Sequence, residues 1–442
     1  MHLRNLCKRS IVAACALVAT LLWVAAPASA QTGPVAATPA KGTPELTDTG
    51  TTQEVRQLAQ CGGTMYSVGS FNSITWNGST YARDNAFSFS ATKPYTMTSW
   101  NPDVNGTVNS VAFSADCSTV YLGGVFTTVG STTVKNIAAV SASTGAVISS
   151  FAHNANGQVE TLLDYHGHLL TGGYFSSINN STSNPYMVSL NDATGKDDGF
   201  IHLGISGNYQ FPGVGSNPTR VYNQQLSNGG TLDLVEGDFT SVGGLPRQQI
   251  FMLNLSGSSA AVTSWTSDEF SGDCATDEPF YLQAAAWSPD DATIYVATTG
   301  YHPYNMPTGS YPRTGLCDAA AAFPATQSNV SHSWINYTGC DSLYSTAADA
   351  STAYFGGHER WSSNPDGCDF AGPGAIAAEG MEGLSPTTGV LTFNPTKGRG
   401  LGADDMLVTA AGLWIASDNL NNTTQCGGVY QHAGICLLPY GS

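Results

Sequence analysis

Tyr121-Leu-Gly-Gly-Val-Phe126 is the stretch on which the reading of this chain turns. An apolar pair, two glycines, a variable step and an aromatic describe a short buried strand whose centre has no side chains to hold a neighbour away. The same grammar recurs as Tyr66-Ser-Val-Gly-Ser-Phe71, Leu170-Thr-Gly-Gly-Tyr-Phe175 and Leu234-Val-Glu-Gly-Asp-Phe239. It persists in degraded form as Tyr295-Val-Ala-Thr-Thr-Gly300, Tyr354-Phe-Gly-Gly-His-Glu359 and Trp414-Ile-Ala-Ser-Asp-Asn419. First residues are spaced by 55, 49, 64, 61, 59 and 60 positions. A period of that size marks a propeller or an array of repeats. No helical pattern follows the glycines, so they lack the context that dinucleotide or phosphate binding requires.

Working outward, each unit carries an alternating segment upstream, such as Val108-Asn-Ser-Val-Ala-Phe113, joined to the motif by a turn such as Ala115-Asp-Cys-Ser118. Downstream lie a third strand, such as Ile137-Ala-Ala-Val140, a Thr-Gly or Ser-Gly turn, and a fourth strand ending in an aromatic. Four antiparallel strands per unit predict an all-β, seven-bladed β-propeller. The terminal aromatics are Trp100, Phe151, Phe200, Trp265, Trp334 and Phe393, one fewer than the units. The last unit stops after Ile435-Cys-Leu-Leu438, while about ten residues around Pro44 to Gln53 belong to no unit. The N-terminal piece is therefore expected to join the last blade as its outermost strand and close the ring, removing an exposed edge.

The first 30 residues hold Arg4, Lys8 and Arg9, an apolar run from Ile11 to Ala26, and Ala28-Ser29-Ala30. This is the pattern of a cleaved export signal. The expected organisation is a signal at 1–30, a flexible segment at 31–43 and one propeller domain at 44–442. No later stretch is apolar enough to span a bilayer. Removal of the signal leaves 12 basic against 32 acidic residues, a formal charge of −20. Nucleic acid and anionic lipid, which demand clustered Lys and Arg, are excluded as partners.

The repeat resembles the YVGG-x-F blade of secreted actinobacterial β-propeller proteins, related to the delta-sixty repeat group. A second stretch carries the resemblance further, with Gly356-Gly-His358-Glu-Arg-Trp361, Gly372-Pro-Gly374, Phe393-Asn-Pro395, Lys397-Gly-Arg-Gly400 and Ser417-Asp418. It looks like the last two blades of that family, with Gly-His-x-Arg-Trp as its sharpest mark. The resemblance covers roughly Val55 to Asp418 and implies fold and export; it implies no chemistry.

In propellers, second-to-third-strand loops and inter-blade connections emerge on one face, the near face, which usually binds ligand. First-to-second-strand turns emerge on the far face. Eight cysteines remain after the signal, an even number that implies disulfides in an exported protein. Cys61 and Cys117 fall in equivalent far-face turns of adjacent blades and are expected to pair. Proximity favours Cys274 with Cys317, Cys340 with Cys368, and Cys426 with Cys436 on the near face. Loops in units five and six are the longest. They gather Tyr301, His302, Tyr304, His358, Glu359, Arg360, Trp361, Lys397, Arg399, Asp404, Asp405 and Asp418, the densest mixture of ionisable and aromatic side chains in a charge-poor chain.

Two readings of that cluster stand. Arg360 pairs with a carboxylate and locks two blades, or Trp361 and the tyrosines form platforms for sugar rings with Arg360, Glu359 and Asp418 as polar partners. His166 and His168 flank Gly167 on the opposite face without an evident third metal ligand, so no metal and no cofactor are expected. No nucleophile elbow, zinc helix or EF-hand loop is present. The leading expectation is a secreted, monomeric binding module in the extracellular space or envelope, engaging glycan or protein. The alternative is an extracellular glycoside hydrolase or polysaccharide lyase using near-face carboxylates, for example Glu359 with Asp404 or Asp418.

Overall fold

The computed structural model describes residues 34–208, 218–271, 282–300, 316–395, 397–420, 426 and 432–441. The described elements are strands and one short 3-10 helix, Asp268–Ser271. No helix among them is long and apolar enough to cross a membrane. Strands pair antiparallel as meanders that follow one another along the chain. Their first strands are Glu54–Cys61, Thr107–Phe113, Gln158–Tyr165, Arg220–Leu226, Leu282–Trp287, Leu343–Ala348 and Ala403–Thr409, and we number the seven sheets in that order. The second strand of each carries the repeated motif, as in Thr119–Val125 and His168–Tyr174. Sheets four, five and six have complete fourth strands, Ala261–Val262, Trp334–Tyr337 and Leu391–Phe393. In sheets one to three the fourth strand is a single bridge, Phe89 with Met97, Val140 with Val147 and Leu190 with Asp197.

Sheets stack face to face through apolar clusters shared between neighbours, the arrangement of a β-propeller-like fold. Leu234 and Met252 of sheet four pack with Leu282, Trp287 and Val296 of sheet five. First and last sheets share a cluster of the same kind, in which Val55, Leu58, Phe87 and Phe89 meet Trp414, Ala416, Ile435 and Leu437. Glycine allows the approach. A Cβ at Gly172 would lie 2.6 Å from Val221 Cγ1 of the next sheet, and one at Gly123 would lie 2.5 Å from Val159 Cγ1. The fourth-strand tryptophans tie the same interfaces, because a buried indole must donate its N–H. Trp100 donates to the Ser141 carbonyl at 3.0 Å, Trp265 to Pro324 at 3.0 Å and Trp334 to Pro386 at 2.9 Å, each in the following sheet.

One irregularity recurs in every sheet. The register between first and second strands slips at Val55/Gln57, Val108/Ser110, Val159/Thr161, Val221/Asn223, Leu282/Ala284, Leu343/Ser345 and Ala403/Asp405. A bulge of this kind leaves one residue unpaired and re-aims its side chain. In sheets one, two and seven the residue just past the bulge then clasps the next sheet. Gln57 Oε1 accepts the Val111 N–H at 2.6 Å, Ser110 Oγ accepts Leu162 N–H at 3.0 Å, and Asp405 Oδ2 of the last sheet accepts Leu58 N–H of the first at 2.8 Å.

The N-terminal segment lies beside the last sheet. Ala36 N–H donates to Pro439 O at 2.7 Å, Ala40 N–H to Leu437 O at 2.8 Å and Leu46 N–H to Ala433 O at 2.8 Å. The Ala36 and Ala40 bonds reach the terminal strand Ile435–Pro439 from upstream of the 44–53 stretch, the Leu46 bond reaches the residue two before it, and Glu45–Leu46 also pair with the sheet-one hairpin strand Ser73–Trp76. Cys61–Cys117, Cys340–Cys368 and Cys426–Cys436 are bonded. Cys317 is also disulfide-bonded; its expected partner Cys274 lies outside the described residues.

Candidate functional site

The bulges build a site that the motif did not announce. Their unpaired residues are Arg56, Asn109, Glu160, Tyr222, Gln283, Tyr344 and Asp404, and all seven line one central cavity of about 740 Å³. First strands enclose it, so its wall is the inner edge of each sheet, where peptide and side-chain polar groups have no further strand to pair with. Hydrogen bonds run along part of the wall. Arg56 contacts Glu54 through its Nε, and its NH1 donates to Asn109 Oδ1 at 2.9 Å. Asn109 Nδ2 donates in turn to Glu160 Oε2 at 3.0 Å. Across the wall, Tyr344 Oη and His358 Nδ1 lie 2.9 Å apart, and the Arg220 guanidinium sits 4.1 Å from the centre of the Tyr222 ring.

The residues collected by sequence from units five to seven separate into three environments. His358 and Asp404, with Asp405, line the central cavity. Burial pushes the His358 imidazole below its ordinary value. Burial, with Glu54 and Asp418 nearby, pushes the Asp404 carboxyl well up. Arg360 and Arg399 converge on Asp341, which is 2% exposed. Arg360 Nε and NH2 reach the two Asp341 oxygens at 2.8 and 2.7 Å, and Arg399 NH2 reaches Oδ1 at 3.1 Å. This is a bidentate carboxylate clamp of the kind guanidinium geometry favours. Asp341 holds the Arg360 guanidinium firmly protonated, and Arg360 also contacts Asp369.

Glu359, Lys397 and Asp418 are enclosed, at 0%, 2% and 1% exposure. Asp418 Oδ2 accepts the N–H groups of Leu401 at 2.6 Å and Gly402 at 3.2 Å, and Oδ1 accepts that of Leu420 at 2.6 Å. Lys397 Nζ donates to Gly398 O at 3.1 Å, and burial lowers its pKa against the pull of Asp418 and Glu359. Burial first, and Glu382 second, raise the Glu359 carboxyl well above the usual range; burial lifts Glu382 to about 7. Trp361 is half-buried at the start of Trp361–Ser362. Tyr301, His302 and Tyr304 lie outside the described residues.

On the opposite face, His166-Gly167 forms a two-residue turn with φ of 50° and 90°, the mirror-image geometry that suits a twisted hairpin. His168 Nδ1 contacts Asp198 Oδ2 at 2.7 Å, and its ring stacks on Phe200 at 4.2 Å. Among the described residues, no group of three or more His, Cys, Asp or Glu is placed to hold a metal ion.

Sequence reading missed the bulge ring and Asp341. The bulge residues share a position but no chemistry; what they share is their place near the start of each first strand, after an apolar residue such as Val55, Val108, Val159 or Val221.

No family model matches the chain, and no curated protein matches it. Among solved structures, "Structure of U3-55K" aligns over 91% of this chain and 100% of that one at 10% identity, with a TM-score of 0.48. "Crystal structure of WD40 beta propeller domain of Doa1" aligns over 88% of this chain and 95% of that one at 13% identity, with a TM-score of 0.42. Likenesses of that strength leave the fold to be read from this chain's own sheets.

Proposed function

We propose that this chain is an exported binding module, a monomeric seven-bladed propeller closed by its N-terminal segment, which engages glycan or protein outside the cell without turning it over. Closure is supported by the apolar cluster shared between first and last sheets, by the Asp405–Leu58 clasp and by the N-terminal bonds to Pro439 and Leu437. Export is supported by the leader pattern and by cystines, which persist in oxidising compartments.

The observation that carries the non-enzymatic reading is the fate of the charged cluster. Hydrolysis or lyase chemistry on a saccharide needs carboxyl groups open to substrate on both sides of a bond. Glu359 and Asp418 are enclosed, and Asp418 is committed to three backbone N–H groups. Arg360 and Arg399 brace Asp341. These side chains act as struts that stiffen a loop platform, the usual basis of propeller recognition.

The test is a glycan array probed with the mature chain, followed by product analysis on every glycan retained. Retention with no new reducing or unsaturated ends is expected. Appearance of products, abolished in Glu359→Gln or Asp418→Asn, would overturn the reading.

A further inference from the structure

The central cavity has its own charge balance, distinct from the braced cluster around Asp341. Arg56 is the one guanidinium among its described lining residues, and it is already matched by Glu54. Glu160, Asp404 and Asp405 stand in the same wall, and Arg220, packed on the Tyr222 ring, together with Arg56 offsets part of the Glu160 charge. Lys397, packed behind Asp404, offsets part of the Asp404 charge. Asp404 Oδ2 is buried with no hydrogen-bond partner among the described residues. A carboxyl withdrawn from water with one oxygen left without a hydrogen-bond donor gains more than an exposed one from an incoming positive donor group. Burial raises Glu160 in the same sense. Between the carboxyls the wall offers amides, Asn109, Asn223 and Gln283, and the phenol edges of Tyr222 and Tyr344. Amides both donate and accept, which suits hydroxyl groups that do the same. The volume of about 740 Å³ lies within the range of small-ligand sites.

We infer that the central cavity binds a saccharide bearing free, protonated amino groups, with Glu160 and Asp404 receiving the amine and the amides of Asn109 and Gln283 receiving hydroxyls. The inference rests on the binding-module reading and names its ligand class. An anionic saccharide is disfavoured by the same wall and by a whole-chain charge of −17. A purely neutral saccharide would bring no positive donor to Asp404 Oδ2.

The experiment is calorimetric titration of the mature chain with hexamers of glucosamine, N-acetylglucosamine and glucose, and with a hexalysine peptide, at pH 6. Glucosamine hexamer is expected to bind at least about ten-fold more tightly than either other saccharide and than hexalysine. Glu160→Gln and Asp404→Asn, near-isosteric changes whose folding is checked by melting curves, are each expected to weaken it about ten-fold. Glu160→Gln alone suffices if Asp404→Asn fails to fold. Equal binding of the N-acetylated hexamer, preference for hexalysine, no binding of glucosamine hexamer, or indifference to Glu160→Gln overturns the inference. Loss in Trp361→Ala with full retention in both cavity variants moves the ligand to the outer loops; it overturns this site and leaves the module reading intact.

Discussion

Gln53 and Asn419, 366 positions apart in the chain, hold each other by reciprocal hydrogen bonds. The Gln53 N–H donates to Asn419 Oδ1 at 2.9 Å, and the Asn419 N–H donates to the Gln53 carbonyl at 3.0 Å. The Asn419 amide nitrogen also donates to Thr51 O at 2.9 Å. Both residues are buried, so neither contact is readily replaced by water. Asn419→Ala leaves the Gln53 N–H unpaired and is expected to cost about 1–3 kcal/mol in urea unfolding. Asn419→Asp restores the acceptor but not the donor and should fall between.

The Cys61–Cys117 bond joins two adjacent hairpin turns across 56 positions. Replacing both cysteines with serine frees that loop in the unfolded chain and is expected to lower stability by about 2–4 kcal/mol. The same loss should appear when wild type is unfolded under reducing conditions, on top of the losses from the other bridges.

Asp405 links stability to pH. Burial raises its carboxyl from the ordinary 3.8 to about 6, against the lowering effect of its bond from Leu58 N–H. A carboxyl with a folded value above its unfolded one binds its proton more tightly in the folded state. Its stabilising contribution is therefore full below about pH 4 and is lost as pH rises through about 6. Asp405→Asn keeps an acceptor for Leu58 and removes the titration. Wild-type stability relative to the variant should fall by about 2–3 kcal/mol between pH 4 and pH 8, measured by urea unfolding at both. Parallel pH profiles would contradict the assignment. Glu45 and Glu382, both lifted to about 7 by burial, act in the same direction, while His432, lowered to about 4 by burial, opposes them below its ordinary value of 6.5.

Glycine at the sheet interfaces is a spacing device. Gly172→Val would drive its side chain into Val221 and into Thr161 Cγ2, 2.7 Å from the added Cβ. A cost of about 1–3 kcal/mol or more is expected. Gly204→Ala, with nothing within 4 Å of the new atom, is expected to change stability by no more than about 0.5 kcal/mol. Thermal melts of the pair check both.

Much of this architecture was legible because backbone periodicity writes itself into residue type. The Tyr121–Phe126 motif lies on Thr119–Val125 and its following turn, as the alternation required. Cys61 and Cys117 pair because equivalent turns of adjacent sheets lie side by side. Of the six terminal aromatics, Trp100, Phe151, Phe200, Trp265 and Trp334 are buried, although Trp334 opens the strand Trp334–Tyr337 rather than ending it. The central cavity was not legible. A bulge is a slip of one residue in a ladder, and Arg56, Asn109, Tyr222 and Asp404 have no common chemistry to mark it. Asp341 was missed for a related reason: its partners Arg360 and Arg399 stand out in a charge-poor chain, but the carboxylate that joins them is 19 and 58 positions away. Only the fold brings them together.

Amide hydrogen exchange on the mature chain tests the closing arrangement most directly. Ala36, Ala40 and Leu46 donate to Pro439, Leu437 and Ala433, so their exchange should be slowed in step with that of Leu437 in the terminal strand. If the three N-terminal amides instead exchange at free-peptide rates while Leu437 stays protected, the segment does not complete the last sheet, and the closed ring with its central site is wrong.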